Sequence, residues 1–267
     1  MGAISAFSTA VGALRRNAVL FGVAFLVSLA NVALTGLPLV VPTPVAGVAS
    51  ISASGVALLA APFVAGGLLA MAHESLDGST GFATFATGGR ANYPRILGAM
   101  VLLGVLFAAL GVAIAVAVLL VTGLVAGSAS TPTGFVLPAL VGLIGLLASS
   151  LILFVVQFYA TAIVVSGLDV GSAFQRSADL VSENPVSVLG YTTILVVLGG
   201  LAGTLGAALS VAASAYASPA AMGPDVPEIG AAVVAVLAAV TVVVTTVVAA
   251  FGSAYQVAFY EDCVGGQ

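Results

Sequence analysis

Lysine and tryptophan are absent from these 267 residues, cysteine and histidine occur once each, and charged residues make up 5% of the chain. Soluble domains carry roughly 25% charged and 45–50% apolar residues. Here the apolar share is 61% and the mean hydropathy +1.30, which excludes a water-soluble fold. With one thiol, Cys263, neither an intramolecular disulfide nor a thiolate metal site can form. One imidazole, His73, falls short of the two or more nitrogen or sulfur ligands that a metal centre wants beside its carboxylates. No metal or other cofactor is expected. Five basic against nine acidic residues leave a formal net charge of −4 and a pI near 4.6. That balance excludes nucleic acid as a partner and any broad basic surface for anionic membranes.

What the chain does contain is long neutral runs. No formal charge lies between Arg16 and Glu74, between Arg95 and Asp169, between Glu183 and Asp225, or between Glu228 and Glu261. A helix needs about 20 apolar residues to cross a hydrocarbon core of roughly 30 Å. Divided at their Pro, Gly and Ser clusters, the runs predict six spans near 17–38, 51–72, 94–126, 135–166, 185–216 and 229–259. The breaks fall at Pro38 to Pro44, Gly127 to Gly134 and Ser218 to Glu228. The fold expected is an all-α polytopic bundle of three hairpins forming one integral membrane domain over 1–267, with repeat-like units near 1–72, 78–166 and 169–259.

The basic residues mark one face. Arg15 and Arg16, Arg90 and Arg95, and Arg176 all precede odd-numbered spans, and the three breaks contain no arginine. Short basic loops stay in the cytoplasm, so a cell-membrane protein with both termini cytoplasmic is expected. The Arg15-Arg16 pair is not read as an export signal: the apolar run behind it is long enough to span, and Asn17-Ala18 fits the twin-arginine pattern poorly.

A spacing recurs ahead of the odd spans. Phe7 to Asn17, Phe82 to Asn92 and Phe174 to Asn184 are each ten positions apart, which suggests one plan used three times. In the third copy Val170, Ala173, Phe174, Ala178 and Val181 fall at helical spacing, opposite Gln175, Arg176, Asp179 and Glu183. Such a stripe predicts an interfacial amphipathic helix, with the Phe in the acyl boundary and the Asn capping the span that follows. Pro185 suits the first helical turn after Asn184. The second copy, with Gly88-Gly89, reads as a poorer helix. Pro62 predicts a kink inside the second span.

Few residues carry chemistry. No nucleophile elbow, phosphate loop or His-Glu metalloprotease signature occurs, and no charge lies at mid-span where ion-coupled pumps place theirs. Neutral polar groups remain: Ser28 and Asn31, Gln157, Tyr159 and Thr161, and Ser253, Tyr255 and Gln256. Groups of this kind usually hydrogen-bond between helices at about 1 kcal/mol each. Small residues at Gly66-Gly67, Gly123/Gly127 and Gly199/Gly203 favour close helix approach.

The stretch Pro62 to Gly67, followed by Met71 to Gly78 and by Phe85 to Pro94, resembles a family of multi-pass membrane proteins of haloarchaea whose function is not known. The acidic, Ala- and Val-rich composition suits that setting. The segment with Asp169, Ala173-Phe174, Ser177, Leu180-Val181 and Asn184-Pro185 is similar to the membrane domain attached to some glycerophosphodiester phosphodiesterases. The first resemblance implies an integral membrane domain and brings no catalytic residues. In the second family a separate soluble barrel domain performs the hydrolysis, so no enzymatic role follows.

Three functions are weighed. The leading one is a non-enzymatic scaffold or accessory subunit whose partners are the lipid bilayer and other membrane proteins. Its docking surface would comprise Arg176, Asp179, Glu183 and the tail from Glu261 to Cys263. The alternative is a small-solute permease with Asn31, Gln157, Tyr159 and Gln256 converging on one pocket. The third is an enzyme acting on lipid headgroups through His73, Glu74 and Asp77.

Overall fold

The computed structural model describes residues 2–40, 43–124, 132–217 and 230–265. Among these, nine helices follow in order: α1 (Ala3–Arg16), α2 (Val19–Val40), α3 (Thr43–Asp77), α4 (Phe82–Leu124), α5 (Pro132–Val156), α6 (Tyr159–Val165), α7 (Val170–Glu183), α8 (Pro185–Ala217) and α9 (Ala231–Gly265). Six stretches are long and apolar enough to cross a membrane, the fourth being α5 and α6 together. The chain is thus an all-α polytopic membrane bundle. Backbone polarity explains the choice, because in hydrocarbon a helix satisfies its own N–H and C=O groups. The expected break at Pro38 to Pro44 narrows, since α2 runs to Val40 and α3 begins at Thr43. Most of the other two expected breaks, 127–131 and 218–228, lies outside the described residues.

The helices pair in sequence, α2 with α3, α4 with α5 and α8 with α9, as three hairpins. A fourth close pairing joins α3 to α4 across the turn at 78–81. Glycine makes it: a Cβ built on Gly88 would stand 2.3 Å from the Ala70 Cβ, one on Gly67 2.5 Å from the Phe85 ring, and one on Gly89 2.8 Å from Phe63. Without side chains at these points the two backbones approach and gain dispersion contact, which drives helix association where no hydrophobic effect operates. This crossing holds 82–94 as regular helix, so α4 runs unbroken through Asn92 and Pro94. The segment before the third span is therefore the first turns of α4 rather than a separate element.

α1 and α7 are separate elements and closely alike. Each has 14 residues and ends at an Asn of similar backbone conformation, φ −124° and ψ 69° at Asn17, φ −128° and ψ 46° at Asn184. α1 buries Ala6, Ala10, Ala13 and Leu14, and α7 buries Ala173, Ser177, Leu180 and Val181. The first lies chiefly against α9 and α3, the second against α6 and α5.

All described charges gather at one end of the bundle. Arg16 donates to the carbonyl of Leu76 at the end of α3, and Arg95 to that of Gly167 at the α6–α7 turn. His73 meets Glu261, and Ser5 donates to Asp262. An aromatic cluster fills the core beneath: Tyr191 stands 5.0 Å from Phe158, 4.9 Å from Tyr255 and 4.7 Å from Phe259 between ring centroids. Toward the other end the helices expose apolar side chains such as Leu119, Leu120 and Val236, as lipid-facing surfaces do.

Candidate functional site

Two polar features stand inside the apolar bundle. One is the interruption of the fourth crossing between Val156 and Tyr159. A broken helix frees backbone groups that lipid cannot satisfy, and here side chains take them up. Ser177 of α7 accepts from the Phe158 N–H at 3.1 Å and donates to the Val155 carbonyl at 2.7 Å. Gln256 of α9 donates to the Gln157 carbonyl at 3.1 Å. The Gln157 amide donates to Phe154 and accepts from Thr192 of α8. Four elements thus meet at one break, and its hydrogen bonds are spent on holding them together. Within the first turn of α6, the Thr161 hydroxyl is buried with no hydrogen-bond partner among the described residues.

The other feature is a cavity of about 600 Å³ between α2, α8 and α9, whose walls include Ser28, Asn31, Ser210, Tyr216, Thr241 and Thr245. Asn31 lies about 20 Å along α2 from its arginine-bearing end at 1.5 Å per residue. Most hydroxyls here donate back to their own helix, Thr241 to Leu237, Thr245 to Thr241 and Ser210 to Gly206. Their oxygens remain free to accept. Among the described residues the Asn31 amide and the Ser28 hydroxyl, the latter 6% exposed, have no hydrogen-bond partner. Among the described residues the wall therefore offers acceptors, two amide donors and no charge.

The four residues expected to line one pocket do not converge. Gln157 and Gln256 meet at the helix break, Tyr159 packs on Phe174 at 5.3 Å, and only Asn31 reaches the cavity. Depth separates them: Asn31 lies in the far half of α2, while the other three sit toward the charged end.

The three asparagines also differ from expectation. Asn17, 3% exposed, does not cap α2 with its side chain. Its amide donates to Ala13, Ser75 and Gly78 and its carbonyl accepts from the Thr80 N–H at 3.0 Å, so it clasps the turn between α3 and α4. Asn92 lies inside α4 and donates only to Gly88. The Asn184 side chain turns back to Leu180 while its backbone carbonyl opens α8, which begins at Pro185. Only at Asn17 does the amide serve a carbonyl at the end of a neighbouring helix, where four carbonyls lack an intrahelical partner. The phenylalanines part likewise. Phe7 packs on Phe251 at 5.0 Å and Phe174 on Tyr159, while Phe82 stays largely exposed beside Phe85.

The charged groups pair locally. Asp169 caps α7 by accepting from the Ser172 N–H at 2.7 Å, and that bond, aided by the Ser172 hydroxyl and by Arg95, holds its carboxyl below the ordinary 3.8. His73 faces Glu261 of α9 at 2.5 Å, while Glu74 accepts from Thr80 and Thr84 on the next turn. These two neighbours thus look to different partners. No three His, Cys, Asp or Glu side chains among the described residues group as metal ligands.

Residues 1–263 match the family described as domain of unknown function DUF7847. The chain belongs to that family. No curated protein and no solved structure matches it. Family membership covers both α1 and α7 and all six crossings, so the helix break and the cavity fall within the matched length. Ser177 entered the sequence analysis only as part of a resemblance, and Thr192, Thr241 and Thr245 were not singled out. A lone hydroxyl in an apolar helix is common, and only the fold reveals that these share one break or one wall.

Proposed function

We propose that this is a non-enzymatic protein of the cell membrane, with both termini cytoplasmic, that takes a small uncharged solute into the cavity between α2, α8 and α9. It acts as a permease or as the solute-binding subunit of one. The observation that carries the reading is the unbonded Asn31 amide on the wall of a 600 Å³ cavity. A primary amide facing hydrocarbon forfeits its hydrogen bonds at a cost of several kcal/mol, and one on a cavity wall recovers them from water or a solute. The described wall residues carry no charge, which suits a neutral ligand with hydroxyl or amide donors for the free threonine and serine oxygens.

The arginine-bearing end supports the cytoplasmic assignment through the positive-inside bias. The shared length, boundaries and terminal Asn of α1 and α7 support duplication of one interfacial-helix and hairpin unit, a plan common in transporters. A scaffold docking through the tail draws less support, because Glu261 and Asp262 are turned to His73 and Ser5.

Uptake into proteoliposomes of glycerol, urea and a monosaccharide tests the reading. At least one should enter faster than in protein-free vesicles, and Asn31→Leu should abolish the difference. Equal rates with and without protein for all three would set the permease reading aside.

A further inference from the structure

A second recess lies at the opposite end of the bundle and has a different character. It is an apolar groove of about 370 Å³ bounded by Phe7 and Val11 of α1, Phe21 of α2, Leu198 of α8, and Val247 and Phe251 of α9, with Arg15 at its edge. Phe7, Val11 and Arg15 lie four positions apart on α1, so one face of that helix carries both the apolar wall and the cation. Leu198 and Val247 stand well inside their membrane crossings, so the groove runs from the arginine level into the apolar layer. Among the described residues the exposed Arg15 guanidinium has no hydrogen-bond or ion-pair partner. Its neighbour Arg16 spends one donor on the Leu76 carbonyl.

We propose that this groove binds one anionic phospholipid of the arginine-side leaflet, with an acyl chain along Phe21, Leu198 and Val247 and the phosphate on Arg15. The groove complements both ends of the occupant. The inner wall offers apolar contact without a polar group, which suits a hydrocarbon chain. The rim offers a planar fork of N–H donors that matches phosphate oxygens, at the headgroup level where basic residues attract anionic lipid. The net charge of −4 does not oppose this, since no described acid pairs with Arg15, and three acids at this end have other partners: Glu261 with His73, Asp262 with Ser5, Glu74 with Thr80 and Thr84. Bound lipid would tie α1 to α2, α8 and α9, the helices of the solute cavity, yet the proposal does not depend on that cavity.

The test is native mass spectrometry of the full chain released from mixed micelles containing equal dioleoylphosphatidylglycerol and dioleoylphosphatidylcholine. One phosphatidylglycerol per chain should be retained. Arg15→Gln should weaken its retention about fivefold, the worth of one basic residue near an anionic surface, while Arg15→Lys keeps most of it. Leu198→Trp, which fills the groove and leaves Arg15 in place, should abolish retention. Arg90→Gln serves as the charge control and should have no effect. Because Arg15 is exposed and bonds to no described residue, its variants remain testable even if Leu198→Trp fails to fold. Equal retention of both lipids, or retention unchanged by Arg15→Gln, overturns the proposal. A lipid-free dimer peak lost in Leu198→Trp overturns it too, by assigning the groove to a second copy.

Discussion

Asn17 shows how far a single side chain reaches in this fold, since one amide bonds to the end of α1, the end of α3 and the turn that follows. Removing it leaves several buried backbone groups unpaired at about 1–3 kcal/mol each. Asn17→Ala should therefore lower the midpoint of detergent-induced unfolding clearly, whereas Asn92→Ala, whose amide reaches only Gly88, should stay within about 0.5 kcal/mol. Equal effects would mean that the clasp is not what holds the turn. Asp169 gives a pH-dependent counterpart. Its carboxyl is held below 3.8, chiefly by the Ser172 N–H, so its stabilisation of α7 is present above that value and is lost as pH falls through the lowered folded value. Amide exchange in the first turn of α7 should accelerate in that acid range and lose this dependence in Asp169→Asn. The ten-residue Phe/Asn spacing was legible in the sequence. Which carbonyls each Asn would serve was not, because those belong to turns remote in the chain.

At the scale of elements, the break between α5 and α6 and the glycine crossing of α3 and α4 contrast two ways of closing a membrane bundle. The break depends on borrowed hydrogen bonds. Ser177→Ala strands the Phe158 N–H and the Val155 carbonyl and should cost about 1–3 kcal/mol, whereas Ser182→Ala, exposed on the same helix, should change little. Equal unfolding midpoints for the two would deny Ser177 its part. The crossing depends on absent side chains. Gly88→Leu forces a Cβ to 2.3 Å from Ala70 and should destabilise by about 1–3 kcal/mol or more. Gly104→Leu, which meets nothing within 4 Å, is the control expected to be neutral. All six crossings could be read from hydropathy, because length and charge-free runs report directly on the solvent. The division of the fourth crossing escaped that reading, since one Gln among apolar neighbours leaves the run long enough to span and Gln157-Phe158 contains neither Pro nor Gly. Gly88-Gly89, read as a weak point for a helix, becomes the strongest contact of α4 once α3 lies against it.

The whole molecule is asymmetric: one end carries every described charge and is closed by α1, α7 and stacked aromatic rings, while the described residues of the other end are uncharged and enclose a cavity between three helices. Overall architecture was recoverable from sequence because lipid imposes it. The site was not, because three of the four polar residues singled out bind the protein's own backbone and neighbours. Function therefore hinges on orientation, which decides the side from which a solute enters and the leaflet in which Arg15 lies. In a Cys263→Ser background, single cysteines at Ser182 on α7 and Gly230 before α9 report on the two ends. Both positions are exposed. Labelled in intact cells with a membrane-impermeant maleimide, Gly230→Cys should react and Ser182→Cys should react only after the membrane is opened. Labelling of Ser182→Cys in intact cells, or of both sites from the same side, would contradict the threading on which the whole reading stands.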